Sequence, residues 1–233
     1  MSNISIIIPV INEAKNIQKL IPYLLNNTNP KDICSIIIVD GGSTDGTQKV
    51  VKSFKNVQLV ISEKGRAKQM NLGAKHAKGT ILYFLHADSY PPKHFDKEIL
   101  NAVKDHYESG CFKMAFTSQH WWLKLAGWFT QFNWKISRGG DQSLFVSQSL
   151  FHSLGGFDES YKIYEDNHFI QKLYKTSNFK VIQKTLTTSA RRYETMGIWK
   201  LQYHFWMIHL KYRLGASPET LYSYYLKHIT VKN

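Results

Sequence analysis

The fold of this chain is decided by one stretch, Ser35–Thr47, which reads Ser-Ile-Ile-Ile-Val-Asp-Gly-Gly-Ser-Thr-Asp-Gly-Thr. Its β-branched apolar run predicts a buried strand that ends at Asp40. The glycines and the Ser-Thr pair then predict a turn, followed by a helix to about Phe54. Strand, turn and helix in this order are typical of a βαβ unit, in which neighbouring strands are parallel.

The same alternation extends to both sides of this stretch. Asn12 is predicted to cap a first helix that runs to about Leu25. The other predicted elements are strands at Ile4–Pro9, Val57–Ile61 and Thr80–Leu85, and a helix at Lys68–Lys78. Uninterrupted apolar strands of this kind predict an α/β fold whose mostly parallel central sheet is flanked by helices on both faces.

Three acidic residues follow strands of the predicted sheet. Glu13, Asp40 and Asp88 come just after the first, second and fourth strands. Ligands of parallel α/β sheets bind beyond the carboxyl ends of the strands, so we expect these side chains at one edge. Asp88 in His86-Ala87-Asp88 is placed to hold a divalent cation through oxygen; a solvated loop acid is the alternative.

The second half of the sequence is less regular. It predicts helices at Trp121–Ile136, Tyr164–Lys175, Met196–Leu214 and Pro218–His228, and a short strand at Gln142–Val146. No internal repeat, low-complexity segment or linker divides the chain. We therefore predict one continuous domain over residues 1–233.

Composition narrows the class of protein. Of 233 residues, 43% are hydrophobic and 20% are charged, which is a globular composition and argues against a disordered chain. The two cysteines form no CxxC pair, which argues against a disulfide scaffold or a zinc site, and Cys34 is predicted to lie in the core. No secretion signal and no apolar stretch of about 18 residues occurs, so we expect a cytoplasmic protein.

The formal net charge is +13 at pH 7, and a surface this basic attracts anionic partners. The chain carries no helix-turn-helix, OB or RRM signature and its basic residues are dispersed, which argues against nucleic acid. Four tryptophans lie in Trp121–Ile136 and two in Met196–Leu214. Such stripes are typical of a core or a homodimer interface; the alternative is peripheral contact with an anionic membrane.

Other polar clusters have a functional and a plain interpretation. Arg66 lies at the basic start of a predicted helix. Its charge either neutralises a diphosphate or belongs to a solvated face of the helix. Glu165-Asp166 supplies a carboxylate that takes a proton from a hydroxyl, or it caps a helix. Asp141-Gln142 is a turn or part of a sugar-binding loop. Arg191-Arg192 contacts a phosphate or an acidic acceptor, or it ends a solvated strand.

Taken together, the motifs resemble glycosyltransferase family 2, the inverting enzymes with the GT-A fold. The resemblance rests, in chain order over roughly residues 4–176, on Ile-Ile-Ile-Pro-Val-Ile-Asn-Glu, Ile-Ile-Val-Asp-Gly-Gly-Ser-Thr-Asp-Gly-Thr, Gly-Arg-Ala-Lys-Gln-Met-Asn, Phe-Leu-His-Ala-Asp-Ser and Gly-Gly-Phe-Asp…Glu-Asp. The His-Ala-Asp-Ser form, Thr-Ser-Ala-Arg-Arg-Tyr and Tyr-Arg-Leu-Gly-Ala-Ser-Pro-Glu further resemble a small bacterial subgroup, the radical-SAM/selenodomain-associated transferase 2 proteins, together with arsenosugar-biosynthesis glycosyltransferases.

The resemblance implies a nucleotide-diphosphate sugar donor, most often UDP-linked, and inverting transfer to an acceptor hydroxyl. It implies a nucleotide-binding half over 1–90, an acceptor and catalytic half over 91–195 and a helical extension over 196–233. Asp88 would hold Mn²⁺ or Mg²⁺, and Asp166, beside Glu165, would act as the catalytic base. Arg191 and Arg192 would contact acceptor or phosphate. The nucleotide-sugar contacts would be Pro9, Val10, Asn12, Glu13, Asp40, Arg66, Asn71, His86, Ala87, Asp141 and Gln142.

Two departures from the family pattern bear on mechanism. The wider family commonly has Asp where this chain has His86, and a histidine ligand would favour Mn²⁺ over Mg²⁺. The chain also lacks the Gln-x-x-Arg-Trp motif of polymerising members, which predicts a single transfer. The alternative function is a non-catalytic module of the same fold that binds a nucleotide or docks on a membrane.

Overall fold

The fold is built on one sheet, seen in a computed structural model that describes residues 2–229. Its strands are β1 (Ile4–Val10), β2 (Ile33–Asp40), β3 (Gln58–Ile61), β4 (Ile81–Phe84), β5 (Ser89–Tyr90), β6 (Ser109–Phe116), β7 (Leu144–Ser147) and β8 (Phe179–Thr188). They are arranged in the order β3-β2-β1-β4-β7-β6-β8-β5.

Helices flank this sheet and extend beyond it at the C-terminal end. They are α1 (Ala14–Asn26), α2 (Thr47–Lys52), α3 (Arg66–His76), α4 (Phe95–Lys104), α5 (Trp121–Phe129), α6 (Gln148–Ser153), α7 (Glu165–Thr176), α8 (Arg191–Met196), α9 (Ile198–Arg213) and α10 (Pro218–His228). Short 3-10 turns occupy Lys135–Ser137 and Gly140–Gln142. Within residues 2–229, no helix combines the length and the hydropathy that crossing a bilayer requires.

The first four strands form the predicted parallel sheet. β1 pairs in parallel with both β2 and β4, and β2 pairs with β3. Alternate residues of these strands enter two apolar clusters on opposite faces, as Ile6 and Ile7 do. Strands that are apolar throughout are stable only when both faces are covered, and the helices provide that cover.

The direction of the sheet changes beyond β4. β7 is antiparallel to both β4 and β6, whereas β6 and β8 are parallel to each other. The sequence did not indicate β6, β8 or α4. β8 carries Lys180, Gln183 and Lys184, so it has no continuous apolar run, although its buried residues pack into both clusters.

The predicted cap of α1 is wrong, because the helix begins after Glu13 and Asn12 lies outside it at φ +55°. The side chain of Asn12 accepts the Thr44 amide at 2.8 Å. The loop after β2 instead supplies a hydrogen-bond acceptor to the start of α1, since Asp45 accepts the Ala14 amide at 3.0 Å. An amide at a helix start needs an acceptor, and here the second loop supplies it to the first helix.

The helix predicted over Trp121–Ile136 is shorter than expected. α5 ends at Phe129, where the Thr130 hydroxyl donates to the carbonyl of Gly127 and accepts the amide of Met114 at 2.8 Å. A side chain that competes for backbone groups in this way favours a turn over further helix. Cys34 also differs from its prediction, because it is exposed at the start of β2.

The C-terminal helices form a third apolar cluster of their own. Its buried members are Leu201, Ile208, Leu221 and Ile229, and aromatic side chains from the loop before α7 and from α8, α9 and α10 pack against them. The cluster therefore anchors α9 and α10 beside α7, where they cover one side of the sheet edge.

Candidate active site

Two adjoining cavities lie beyond the carboxyl ends of the strands. The strand-edge cleft, of about 430 Å³, lies over the loops after β1 and β4; its lining includes Pro9, Glu13, His86 and Asp88. The helix-lined cleft, of about 420 Å³, lies between α5, α7 and α9. The two cavities share a wall formed by Arg66, Phe116, Asp141, Lys162, Arg192, Tyr193, Phe205 and Tyr225.

Arg66 meets two carboxylates in this wall. One guanidinium nitrogen, Nη1, lies 3.4 Å from Glu165 and 3.3 Å from Asp166. Burial alone would lower the pKa of Arg66, but the attraction of the two carboxylates outweighs it and raises that pKa. The start of α3 therefore lies against the start of α7. This packing brings the basic side chain of Arg66 to Asp166, the predicted catalytic base.

Glu165 is the more deeply buried of the two carboxylates. Its side chain is 3% exposed, against 9% for Asp166. Burial and the neighbouring charge of Asp166 raise the pKa of Glu165, despite the opposing effect of Arg66. Asp166 is therefore the carboxylate with better access to a ligand in the clefts.

The replacement Glu165→Gln is expected to flatten the dependence of folding stability on pH. A raised folded-state pKa stabilises the protein below the ordinary glutamate pKa, and this contribution is lost as the pH rises through the raised value. The variant has no such proton, so it should gain stability relative to wild type with increasing pH. Urea unfolding of both proteins between about pH 4 and pH 8 measures this change; a constant difference would contradict it.

His86 lies between two acidic side chains. Its Nδ1 is 3.5 Å from Asp141 and its Nε2 is 3.9 Å from Asp166. Burial raises the pKa of Asp141, but the hydrogen bond and charge of His86, followed by Arg66, outweigh burial and lower it. Both ring nitrogens of His86 thus face carboxylates in this structure, and its role as a metal ligand stays a prediction.

The backbone of Gly140 lies directly against the Asp166 carboxylate. A methyl group at this position would lie 2.0 Å from Oδ2 of Asp166. The neighbouring Gly139 has no atom within 4 Å of the corresponding point, and its φ of −166° is extended. Only the second glycine of the pair is therefore required for the position of the carboxylate.

A buried arginine holds the segment that carries Gly140 and Asp141. Arg138 is 3% exposed and donates to Oε1 of Gln142 at 2.7 Å and to the carbonyl of Thr130 at 2.6 Å. Gln142 also accepts the Cys111 thiol at 3.4 Å, so its carbonyl oxygen is already engaged by protein groups. Gln142 lines the helix-lined cleft, but its hydrogen bonds make it a support for this segment.

Asp88 lines the strand-edge cleft with a carboxylate that forms no hydrogen bond or ion pair within residues 2–229. No group of three or more His, Cys, Asp or Glu side chains in the same residues has the arrangement of a metal site. One free carboxylate fits a divalent cation whose remaining ligands come from phosphate oxygens. The donor set does not fit a cation that the protein alone would hold.

Three predicted contact residues lie outside both clefts. Asp40 is wholly buried and accepts the amides of Gly42 and Ser43 and the side-chain amide of Gln48. Asn71 is bonded to the backbone of Phe157 and to Glu159, and Asn12 joins the first two loops. In this structure, each of the three contributes hydrogen bonds that shape loops near the clefts.

The two arginines of α8 have different partners. Arg191 lies 3.2 Å from Glu13 and so connects α8 to the loop after β1. Arg192 donates to the Tyr225 hydroxyl at 2.8 Å and lies over the rings of Phe205 and Tyr225. No carboxylate within residues 2–229 lies within ion-pairing distance of Arg192; its charge faces both clefts and interacts at longer range with Asp141.

Sequence reasoning missed two residues of the strand-edge cleft. Gln69 is 5% exposed and donates to the carbonyls of Val10 and Val39, which fixes the ends of β1 and β2. Lys162 lies over the ring of Tyr222 in the wall between the clefts. Gln69 stands within the quoted Gly-Arg-Ala-Lys-Gln motif, which was the available signal; Lys162 had none beyond its aromatic neighbours.

The chain was compared with known families and proteins. The family described as Glycosyl transferase family 2 matches residues 5–180. Glycosyltransferase AglE of Haloferax volcanii is 37% identical over 94 residues, which are 38% of this chain and 31% of AglE. The chain therefore spans less than a third of the length of this relative.

Solved structures share the architecture over longer stretches. S. aureus TarS 1-349 in complex with UDP has a TM-score of 0.67 and 21% identity, over 81% of this chain and 60% of that one. The mannosyltransferase PcManGT of Pyrobaculum calidifontis, in complex with GDP-Man and Mn²⁺, has a TM-score of 0.67 and 19% identity, over 97% of this chain and 70% of that one. This likeness confirms the GT-A fold.

Proposed function

Because this chain belongs to glycosyltransferase family 2, we propose that it transfers one sugar from a nucleotide-diphosphate donor to an acceptor hydroxyl, with inversion at the anomeric carbon. The observation that carries this proposal is the contact between Arg66, which belongs to the shared wall of the two clefts, and Asp166, which lines the helix-lined cleft. A donor in the strand-edge cleft and an acceptor in the helix-lined cleft would have their reacting groups next to each other, where the two clefts adjoin.

In the proposed reaction, Asp166 takes the proton from the acceptor hydroxyl. The acceptor oxygen forms a bond to the anomeric carbon, while the bond from that carbon to the diphosphate breaks on the opposite face. The leaving diphosphate keeps the electron pair of this bond, and Arg66 stabilises its charge. Glu165 would hold Arg66 in place from the buried side, at 3.4 Å.

A divalent cation, Mn²⁺ or Mg²⁺, would bind at Asp88 together with the diphosphate and would neutralise charge on it. His86, Asp141 and the loop residues Pro9, Val10 and Ala87 would contact the nucleotide-sugar from the lining of the strand-edge cleft. Asp40, Asn12 and Asn71 would act on this site by shaping its loops. A UDP-linked donor is the first choice, in keeping with the UDP complex of TarS; the GDP-Man complex of PcManGT makes a guanine donor the rival.

The acceptor proposal rests on the helix-lined cleft. Apolar side chains such as Ile163 and Ile208 line it, and Lys162 and Arg192 add positive charge at its inner wall. These cations would attract an acceptor that carries an acidic or phosphate group. Glu13 already neutralises Arg191, so Arg192 is the stronger candidate for this contact.

Calorimetric titration with UDP, GDP, CDP and dTDP, each with Mn²⁺, Mg²⁺ or a chelator, tests the donor site. We expect one diphosphate, UDP first, to bind selectively and at least about tenfold more tightly with metal, since charge-assisted contacts contribute about 1.5–3 kcal/mol each. Asp88→Ala should remove the metal enhancement, and either cation alone should bind weakly, because no other His, Cys, Asp or Glu side chains among residues 2–229 form a metal site with Asp88.

The matched control is Asp105→Ala, which removes an exposed carboxylate at the end of α4. It should keep the metal enhancement. Binding that does not depend on metal in the wild type would contradict the role of Asp88. Nucleotide binding without turnover on any sugar donor would favour the alternative, a non-catalytic module of this fold.

A further inference from the structure

The tryptophans of α5 and α9 meet in one cluster at the protein surface. The rings of Trp121 and Trp199 are 5.8 Å apart, and Trp122 lies 5.3 Å from Trp199 and 5.8 Å from Trp206. The indole of Trp122 also donates to Gln202 at 3.2 Å. The outer sides of the two helices thus form a continuous surface, here called the aromatic face. Its exposed members are Trp121, Leu125, Trp128, Phe129, Trp199, Tyr203, Trp206 and Leu210.

Exposure of these side chains is high for residues of their size. Trp121 is 60% exposed, Trp128 53%, Trp199 51% and Trp206 50%. Their positions recur at helical spacing of three, four and seven residues, so they stand on one side of each helix. A contiguous apolar surface of this kind marks an interaction site rather than ordinary surface variation.

The charges within the two segments that carry the aromatic face have one sign. No Asp or Glu occurs in residues 109–140 or 195–218, the segments that contain α5 and α9. Lys124 is exposed and stands on the same side of α5 as Trp121 and Trp128, and Lys200, Lys211 and Arg213 belong to α9. Tryptophan combined with lysine is the composition of helices that lie in the interface of a bilayer.

The positive charge of these segments favours an anionic partner over a second copy of the chain. In a symmetric dimer the same patch faces itself, so Lys124 and its neighbours would meet like charges with no acid to compensate them. An anionic phospholipid surface offers both the apolar depth for the indoles and the opposite charge for the lysines. We propose that the aromatic face of α5 and α9 lies in the headgroup region of an anionic bilayer.

The proposed contact also bears on the acceptor. The same helices also line the helix-lined cleft, through Ala126, Phe205 and Ile208, which point away from the exposed tryptophans. A bilayer at the aromatic face would therefore lie beside the cleft that Asp166 lines. This inference goes beyond the proposed sugar transfer and does not require it, because vesicle binding involves neither donor nor base.

Flotation of the full chain with vesicles tests the contact. We expect the protein to float with vesicles of phosphatidylglycerol and phosphatidylcholine and to remain unbound with phosphatidylcholine alone. Trp121→Gln combined with Trp128→Gln should weaken binding at least about tenfold through lost apolar burial. Lys124→Glu should weaken it more than about fivefold, because loss of one basic residue near the surface costs about that factor and the new carboxylate adds repulsion.

Matched variants separate this face from the overall charge of the protein. Lys19→Glu changes the net charge as Lys124→Glu does, but on α1, and Ile61→Gln removes a side chain that is 57% exposed on β3. Both should bind vesicles as the wild type does. Unfolding temperatures would show that all variants are folded.

Two outcomes would overturn the proposal. In one, Lys19→Glu weakens flotation as much as Lys124→Glu, which means that only the overall charge attracts the vesicle. In the other, light scattering shows a lipid-free dimer that Trp121→Gln dissociates, which assigns the face to a second copy. Calorimetry with nucleotides reports on the sugar-transfer proposal separately, so the failure of one is distinguishable from the failure of the other.

Discussion

The variant Asp166→Asn is expected to lose at least about 100-fold in turnover while it binds the nucleotide diphosphate nearly as well as wild type. Asparagine has the size of aspartate but cannot accept the acceptor proton. The donor contacts proposed at Asp88 and Arg66 do not depend on that proton. Steady-state rates with saturating donor, together with calorimetric binding of UDP, separate the two effects.

Glu165→Gln is the comparison that makes this test specific. Glu165 also contacts Arg66, at 3.4 Å, but is less accessible than Asp166. We expect it to lose less than about tenfold in turnover, because it acts on the leaving group only through Arg66. A larger loss for Glu165→Gln than for Asp166→Asn would assign the base to Glu165 instead.

The variant Gly140→Ala is expected to reduce turnover about 100-fold, although it changes no group that reacts. The added methyl would lie 2.0 Å from Oδ2 of Asp166, so either the carboxylate or the 139–142 segment must move. A displacement of about 1 Å in a catalytic group costs on the order of 100-fold in rate. Steady-state kinetics measures the loss, and nucleotide binding should change little.

Gly139→Ala is the matched control, since the added methyl meets no atom within 4 Å. Its fold-loss of turnover should be at least about ten times smaller than that of Gly140→Ala, and the two variants should have the same thermal stability. If both variants lost activity equally, the segment would be sensitive to any substitution and the contact with Asp166 would not explain the effect. If neither lost activity, Asp166 would not need its observed position.

Much of the sheet could be predicted because its strands are apolar on both faces. The strands at Ile4–Pro9 and Thr80–Leu85 were identified within a few residues of β1 and β4, and the parallel order of β1, β2 and β4 is confirmed. β6 and β8 were missed, because lysines and other polar residues interrupt their apolar residues, so neither strand has a continuous apolar run. Their pairing depends on residues about 70 positions apart, which no local pattern reveals.

The candidate site could be predicted only as types of residue, not as contacts. The sequence suggested Arg66 and Asp166 separately, and only the packing of α3 against α7 brings them to 3.3 Å. Asp40 was expected to face a ligand. Its carboxylate instead accepts a hydrogen bond from a protein side chain, that of Gln48, eight residues later in the chain. The need for glycine at position 140 could not be predicted from the sequence. It arises because the carboxylate of Asp166, 26 positions later in the chain, fills the space that a side chain at position 140 would take.

The shared wall of the two clefts has a consequence for how the protein is made. A chain is synthesised from its N-terminus, and elements that have emerged can begin to fold before the rest is complete. β1 to β4 find their parallel partners within the first 84 residues. Phe205 and Tyr225, which help to separate the clefts, emerge well after β4. A nascent chain on the ribosome would thus hold its four parallel strands while the two clefts are still one open space, so the proposed transfer must await the emergence of α9 and α10.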